Sequence, residues 1–108
     1  MRVPRCIVYN EKAITGIRVA AQSAAEAKVL IAQQICTGLT TKQLDEIGGE
    51  IIRDLGGVPT FYGYHGYPGQ ICISINDEVV HGIGSSEKVI KEGDIVSIDV
   101  GVTIGGFI

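Results

Sequence analysis

No basic run, no C-x-x-C pair and no long apolar stretch occurs in this 108-residue chain. Each absence excludes a class of function. Nine Lys and Arg against twelve Asp and Glu leave a net charge of -3. Phosphate contacts need concentrated basic side chains, so nucleic-acid binding through bulk charge is not expected. Cys6, Cys36 and Cys72 are widely spaced and odd in number. They suit reduced thiols in a cytoplasmic protein better than a disulfide framework. No apolar run reaches the length of a membrane span. Near the N-terminus, Arg2 and Arg5 are followed only by the short run Cys6, Ile7 and Val8, less than a secretory signal requires. A soluble cytoplasmic protein with no membrane partner is the expectation. Also missing are a P-loop, a G-x-G-x-x-G turn between a strand and a helix, an H-E-x-x-H helix, short repeats and low-complexity segments.

What is present suits one small domain or part of a larger one. Asn10 is a plausible N-cap with Glu11 near the positive end of the helix dipole. A helix is predicted from about 10 to 36, because Ile17, Ala20, Ala24, Ala27, Ile31 and Ile35 fall on one face. The many alanines on that face imply close packing, and Gly38 supplies the stop. Thr40 and Gln43 form a capping-box signal for a second helix, about 41–55. Leu44, Ile47, Ile51 and Leu55 line its apolar side. Gly48 and Gly49 weaken it locally by about 1 kcal/mol each, and Gly56-Gly57 and Pro59 end it.

Beyond Pro59 the character changes. Ile71, Ile73 and Ile75 alternate with Cys72, Ser74 and Asn76, and Val79-Val80 extend the pattern into a strand of about 71–81. A second strand is predicted over about 94–104. There Val96, Ile98, Val100, Val102 and Ile104 face one way, and Ser97, Asp99, Gly101 and Thr103 the other. Two helices followed by an antiparallel sheet make an α+β pattern without βαβ alternation.

Three side chains stand out chemically. Asp99 sits in the middle of a strand, where aspartate is disfavoured. It lies opposite the apolar positions, so its carboxylate faces water, a hydrogen-bond donor or a metal. A half-exposed sheet would give the same pattern. His65 and His81 each lie in glycine-flanked stretches able to set an imidazole at a cleft edge, though ordinary surface histidines fit equally well. Glu46, Glu50, Glu78, Glu87 and Glu92 read as solvated charges.

The stretches "GYHGYPGQICISINDEVVHGI" and "KEGDIVSIDVGV", in that order and spacing, closely resemble type I methionine aminopeptidases. "NEKAITGIRVAA" and "GLTTKQLDEI" are similar to the first two helices of that family. The resemblance covers the chain from about Ile7 onward and corresponds to the N-terminal half of the family's domain. It implies the pita-bread fold, in which two similar α+β halves enclose a metal site. It also implies removal of the initiator methionine from nascent chains whose next residue is small. The metals would be two divalent cations (cobalt, manganese, iron or zinc) that clamp the displacement and lower the pKa of the attacking water.

Carried over by position, Asp99 matches a metal-ligating carboxylate. His81 matches the histidine that contacts the scissile peptide, and His65 one near the site entrance. Tyr64, Tyr67 and Cys72 match the lining of the methionine side-chain pocket, where aromatic faces and a thiol suit a thioether. Phe61 stands where some members carry cysteine. Gly84 replaces a common proline, and Gly105 a common acidic residue. The other metal ligands of the family are two glutamates, a histidine and an aspartate beyond Ile108. The chain alone is therefore expected to hold only one ligand and to be inactive, and to self-associate through the surface that the other half would cover. The alternatives are a non-catalytic peptide- or protein-binding module of the same fold, and a proline-directed relative. The motifs around His65 and His81 favour the methionine enzyme over the latter.

Overall fold

The Asn10 side chain accepts the Ala13 N–H at 2.9 Å and opens the first helix, α1, Glu11–Ala32. The computed structural model describes residues 5–108, so Arg2 of the N-terminal stretch lies outside the described residues. Helix α1 ends four residues short of the predicted limit. The chain leaves the helical path after Ala32, and Ile35 and Leu39 turn in against the core. Gly38, at φ 95°, serves the following turn instead, and its N–H donates to Ile90 O. Ala20, Ser23, Ala27 and Ile31 form the buried face of α1. Among the described residues no helix is long and apolar enough to cross a membrane.

Helix α2, Thr41–Asp54, carries the predicted capping box. The Thr40 hydroxyl accepts the Gln43 N–H at 3.1 Å, and the Gln43 side chain accepts the Thr40 N–H at 2.9 Å. Its buried face differs from the predicted one. Thr41, Leu44, Asp45, Gly48, Gly49 and Ile52 are buried, while Ile47, Ile51 and Leu55 are only half-buried. The two glycines are contact points: a Cβ on Gly48 would stand 2.8 Å from Ile71 Cδ1, and one on Gly49 2.8 Å from Gln70 Cγ. Glycine costs helix propensity here, and in exchange the Gln70 and Ile71 side chains lie directly on the helix.

Four short strands follow: β1 Val58–Pro59, β2 Cys72–Ile75, β3 Val96–Asp99 and β4 Val102–Thr103. β2 pairs antiparallel with β3, and β1 with β4, giving two two-stranded sheets. Neither predicted strand has the expected length. The first stops at Ile75, because Asn76 adopts φ 54° and Glu78 closes a turn. Ile75 N–H donates to the Glu78 carboxylate at 3.0 Å, and Glu78 N–H to Ile75 O at 3.1 Å. Glu78 also pairs with Lys88, so it is a structural group and not merely a solvated charge. These two bonds, the Lys88 contact first, hold its carboxyl below the usual glutamate range. The Asn76 amide likewise donates to Asp94 at 3.0 Å and lowers that carboxyl. Val79 and Val80 lie exposed beyond the turn.

The second predicted strand is cut at Val100-Gly101, where the chain changes partner from β2 to β1. Gly101 permits this by close packing: a Cβ there would stand 2.8 Å from the Phe61 ring, and Gly101 O accepts the Thr60 N–H at 3.0 Å. Ala27 and Ile31 of α1, Leu44 and Ile52 of α2, and Ile71, Ile73, Ile90 and Val102 form one core.

Candidate functional site

β2 and β3 set the floor of the site. Their register places Cys72 opposite Asp99 and Ser74 opposite Ser97. Side chains directly opposite in an antiparallel pair share a face. The apolar partners Ile73 and Ile98 point the other way, toward the core. Burial follows the strand more than the face: Cys72, Ile73 and Ser74 of β2 are buried, whereas Ser97 and Asp99 of β3 are exposed and Ile98 is half-buried.

Two loops cover this face. The first, after β1, carries Phe61, Tyr64, His65 and Tyr67 around a single 3-10 turn at Tyr64–Gly66. The second, after β2, carries His81. Both histidines have left-handed backbones, with φ 47° at His65 and 58° at His81. Such positions are uncommon for residues other than glycine, and they concentrate at functional sites when the surroundings enforce them. Around His81 the enforcement is visible. Gly82 N–H donates to the Ser74 hydroxyl at 3.0 Å, and Gly82 O accepts the Ile73 N–H at 2.9 Å. Beside His65, the Tyr64 ring meets the imidazole edge-on with centroids 4.3 Å apart.

Phe61, Tyr64, His65, Tyr67, Cys72, His81 and Asp99 all border one open cleft of about 580 Å³, together with Gly66, Pro68 and Ile83. Phe61 and Tyr67 stand edge to face across 6.5 Å. The lining combines aromatic faces, a thiol, two imidazoles and one carboxylate. A second hollow of about 580 Å³ lies away from the histidines, bordered by residues such as Asn76, Lys88 and Asp94.

Tyr67 does more than line the cleft. Its hydroxyl donates to Ile71 O at 2.8 Å and to Gly82 O at 3.2 Å, tying the two loops together. Burial first, and then the neighbouring Cys72, Asp45 and Asp99, push its phenol well above the ordinary tyrosine value. It therefore remains a hydrogen-bond donor across the physiological range. Asp45 was not singled out by the sequence. It is buried on α2, where its carboxylate accepts the Gln70 and Ile71 N–H groups at 2.9 and 3.0 Å. Its signal was present but weak: an acidic residue next to Leu44 on an amphipathic helix.

The donor set for a cation is partial. Asp99 is a hard carboxylate donor of the kind divalent ions prefer. It takes no part in an ion pair, since the one among the described residues joins Lys88 to Glu78. Among the described residues, however, no three His, Cys, Asp or Glu side chains converge to hold a metal ion. Among the described residues, Asp99 is the one carboxylate that borders the cleft.

Residues 15–108 match the family model described as metallopeptidase family M24. The chain is 42% identical over 106 residues to the methionine aminopeptidase of Aquifex aeolicus, covering 93% of this chain and 41% of that protein. The crystal structure of the methionine aminopeptidase from Thermotoga maritima superposes with a TM-score of 0.87 at 38% identity, over 93% of this chain and 40% of that one. The two helices and antiparallel strands are thus those of the pita-bread fold. Prolidase from Pyrococcus furiosus shares the fold, with a TM-score of 0.78 at 22% identity. The chain spans about two fifths of the length of the methionine aminopeptidases it matches.

Proposed function

Because the chain belongs to metallopeptidase family M24, we propose that its cleft is the part of a methionine aminopeptidase site that holds the N-terminal methionine. One observation carries this reading. A single cleft is lined by Phe61, Tyr64, Tyr67 and Cys72, and also by His65, His81 and Asp99. A flexible thioether packs well against aromatic rings and a polarizable thiol. His81, held in place through Gly82, donates to the oxygen of the scissile peptide as negative charge develops there. His65 stands at the entrance. Asp99 contributes one carboxylate toward a pair of divalent cations. Such ions polarise the peptide carbonyl and lower the pKa of the attacking water. Nascent chains with methionine first are the substrates in this reading.

A second reading is favoured by the absence of three converging metal ligands among the described residues. On this reading the 108-residue chain binds such peptides without cleaving them. Both readings share the binding step, so titration of the ¹⁵N-labelled chain with a Met-Ala-Ser peptide tests them together. Shifts centred on Tyr64, Tyr67, Cys72 and His81, absent with Glu-Ala-Ser, are expected. Equal shifts with both peptides would refute the methionine site. Turnover with added Mn²⁺ or Co²⁺, abolished by Asp99→Ala, would refute the non-catalytic reading.

A further inference from the structure

We propose that Asp45 and Thr41 of α2 are positioning residues that hold both cleft-forming loops in register from outside the cleft. Neither borders the cleft, and both are buried, Thr41 completely and Asp45 to within 8%. Asp45 Oδ1 accepts the Gln70 N–H at 2.9 Å and the Ile71 N–H at 3.0 Å, and Oδ2 accepts the Gln70 N–H at 3.1 Å. These are the residues between Tyr67 and Cys72. One turn earlier on α2, the Thr41 hydroxyl accepts the Ser85 N–H at 2.8 Å and donates to Ser85 O at 3.2 Å. Ser85 closes the segment that carries His81.

The rest of the contact is shaped to this end. Arg53 donates to the Gln70 side chain at 2.6 Å, and Gly49 lets Gln70 lie against the helix. Gly84 rests on the same turn of α2: a Cβ there would stand 3.0 Å from Asp45 Cβ and from Thr41 O. The Tyr67 hydroxyl, on Ile71 O and Gly82 O, closes the triangle of helix and two loops. A buried carboxylate is retained only where its hydrogen bonds are made. Here all of them go to backbone N–H groups of the loop, so the carboxylate fixes where that loop sits. Loops anchored in this way keep the site groups fixed relative to one another, which is what binding and catalysis need from their supports.

This role deepens the reading of the cleft as a methionine site and rests on it. Part of its test does not. In a Cys6→Ser, Cys36→Ser background, the only thiol is Cys72, which is buried in the cleft floor. Its labelling by 5,5′-dithiobis(2-nitrobenzoic acid) reports loop opening. Asp45→Ala removes charge-assisted hydrogen bonds and is expected to raise the labelling rate by roughly tenfold or more. It is expected to weaken Met-Ala-Ser binding by a similar factor. Asp45→Asn keeps an oxygen where Oδ1 stands and is expected to remain much closer to the parent in both. Ile52→Val softens the core on the same helix while leaving every Asp45 and Thr41 hydrogen bond in place, and should label at the parent rate. Labelling of Asp45→Ala at the parent rate, or equal acceleration by Ile52→Val, overturns the proposal. Should Asp45→Ala fail to fold, Thr41→Val carries the test. Amide exchange at Gly82–Ser85 must then rise while that of the α1 interior does not, and unchanged exchange there overturns it. If the labelling contrast holds but the parent chain binds no Met-Ala-Ser, the methionine reading falls while the anchoring of the loops stands.

Discussion

Single side chains decide the chemistry of the cleft, and Tyr67 shows how. Its hydroxyl satisfies two loop carbonyls, Ile71 O and Gly82 O. Removing it takes that donor from Ile71 O, while Gly82 O keeps the Ile73 N–H, so Tyr67→Phe is expected to cost about 1 kcal/mol in urea denaturation at neutral pH. The difference should also depend on pH. The folded-state phenol is raised above its ordinary value, chiefly by burial. The unfolded chain therefore loses this proton near pH 10 while the folded chain keeps it. The stabilising contribution is complete below about pH 10 and is lost as pH rises toward the folded value. The parent's advantage over Tyr67→Phe should shrink above that point; a constant advantage would show that the phenol titrates normally. The sequence exposed Asp99 through its place opposite an apolar strand face. It did not expose Asp45, because a buried carboxylate and a solvated one look alike until the donors arrive from 25 residues away.

At the level of elements, the helices were legible and the strands only partly so. Caps are local chemistry, and Asn10 and Thr40 with Gln43 act within three residues. Strand limits depend on partners. Alternation over Val96–Ile104 continues through Gly101 although the pairing switches there from β2 to β1. The side-chain pattern cannot register a change of neighbour. For the same reason, Val79-Val80 read as strand while the Asn76–Glu78 turn had already ended the pairing. Gly82 is the sharpest consequence of such packing. A Cβ on it would fall onto the Ile73 carbonyl, which belongs to β2. Gly82→Ala must therefore push the His81 loop off the sheet. The expected cost is about 3 kcal/mol, at the upper end for overpacking, with loss of the Gly82–Ser74 hydrogen bond. Gly38→Ala faces open space and bears only its backbone strain. Equal denaturation midpoints for the two variants would contradict this packing.

Across the whole molecule, the chain is a slab of 46 × 37 × 23 Å with a radius of gyration of 15.6 Å. A compact chain of this length would measure about 13 Å. Val58, Val79, Val80 and Ile95 are all more than 60% exposed, so the fold spreads its apolar side chains over more surface than a closed domain does. The fold class was legible in the sequence because the family motifs occur in order. The cleft was legible only through the resemblance, since nothing in the spacing of residues 61, 81 and 99 says that they meet. The proposed site places the methionine side chain among Phe61, Tyr64, Tyr67 and Cys72. Intermolecular NOEs from the ε-methyl of bound Met-Ala-Ser test it most directly. Contacts to the rings of Phe61, Tyr64 and Tyr67 are expected. A bound peptide whose methyl instead contacts the hollow bordered by Asn76, Lys88 and Asp94 would contradict it.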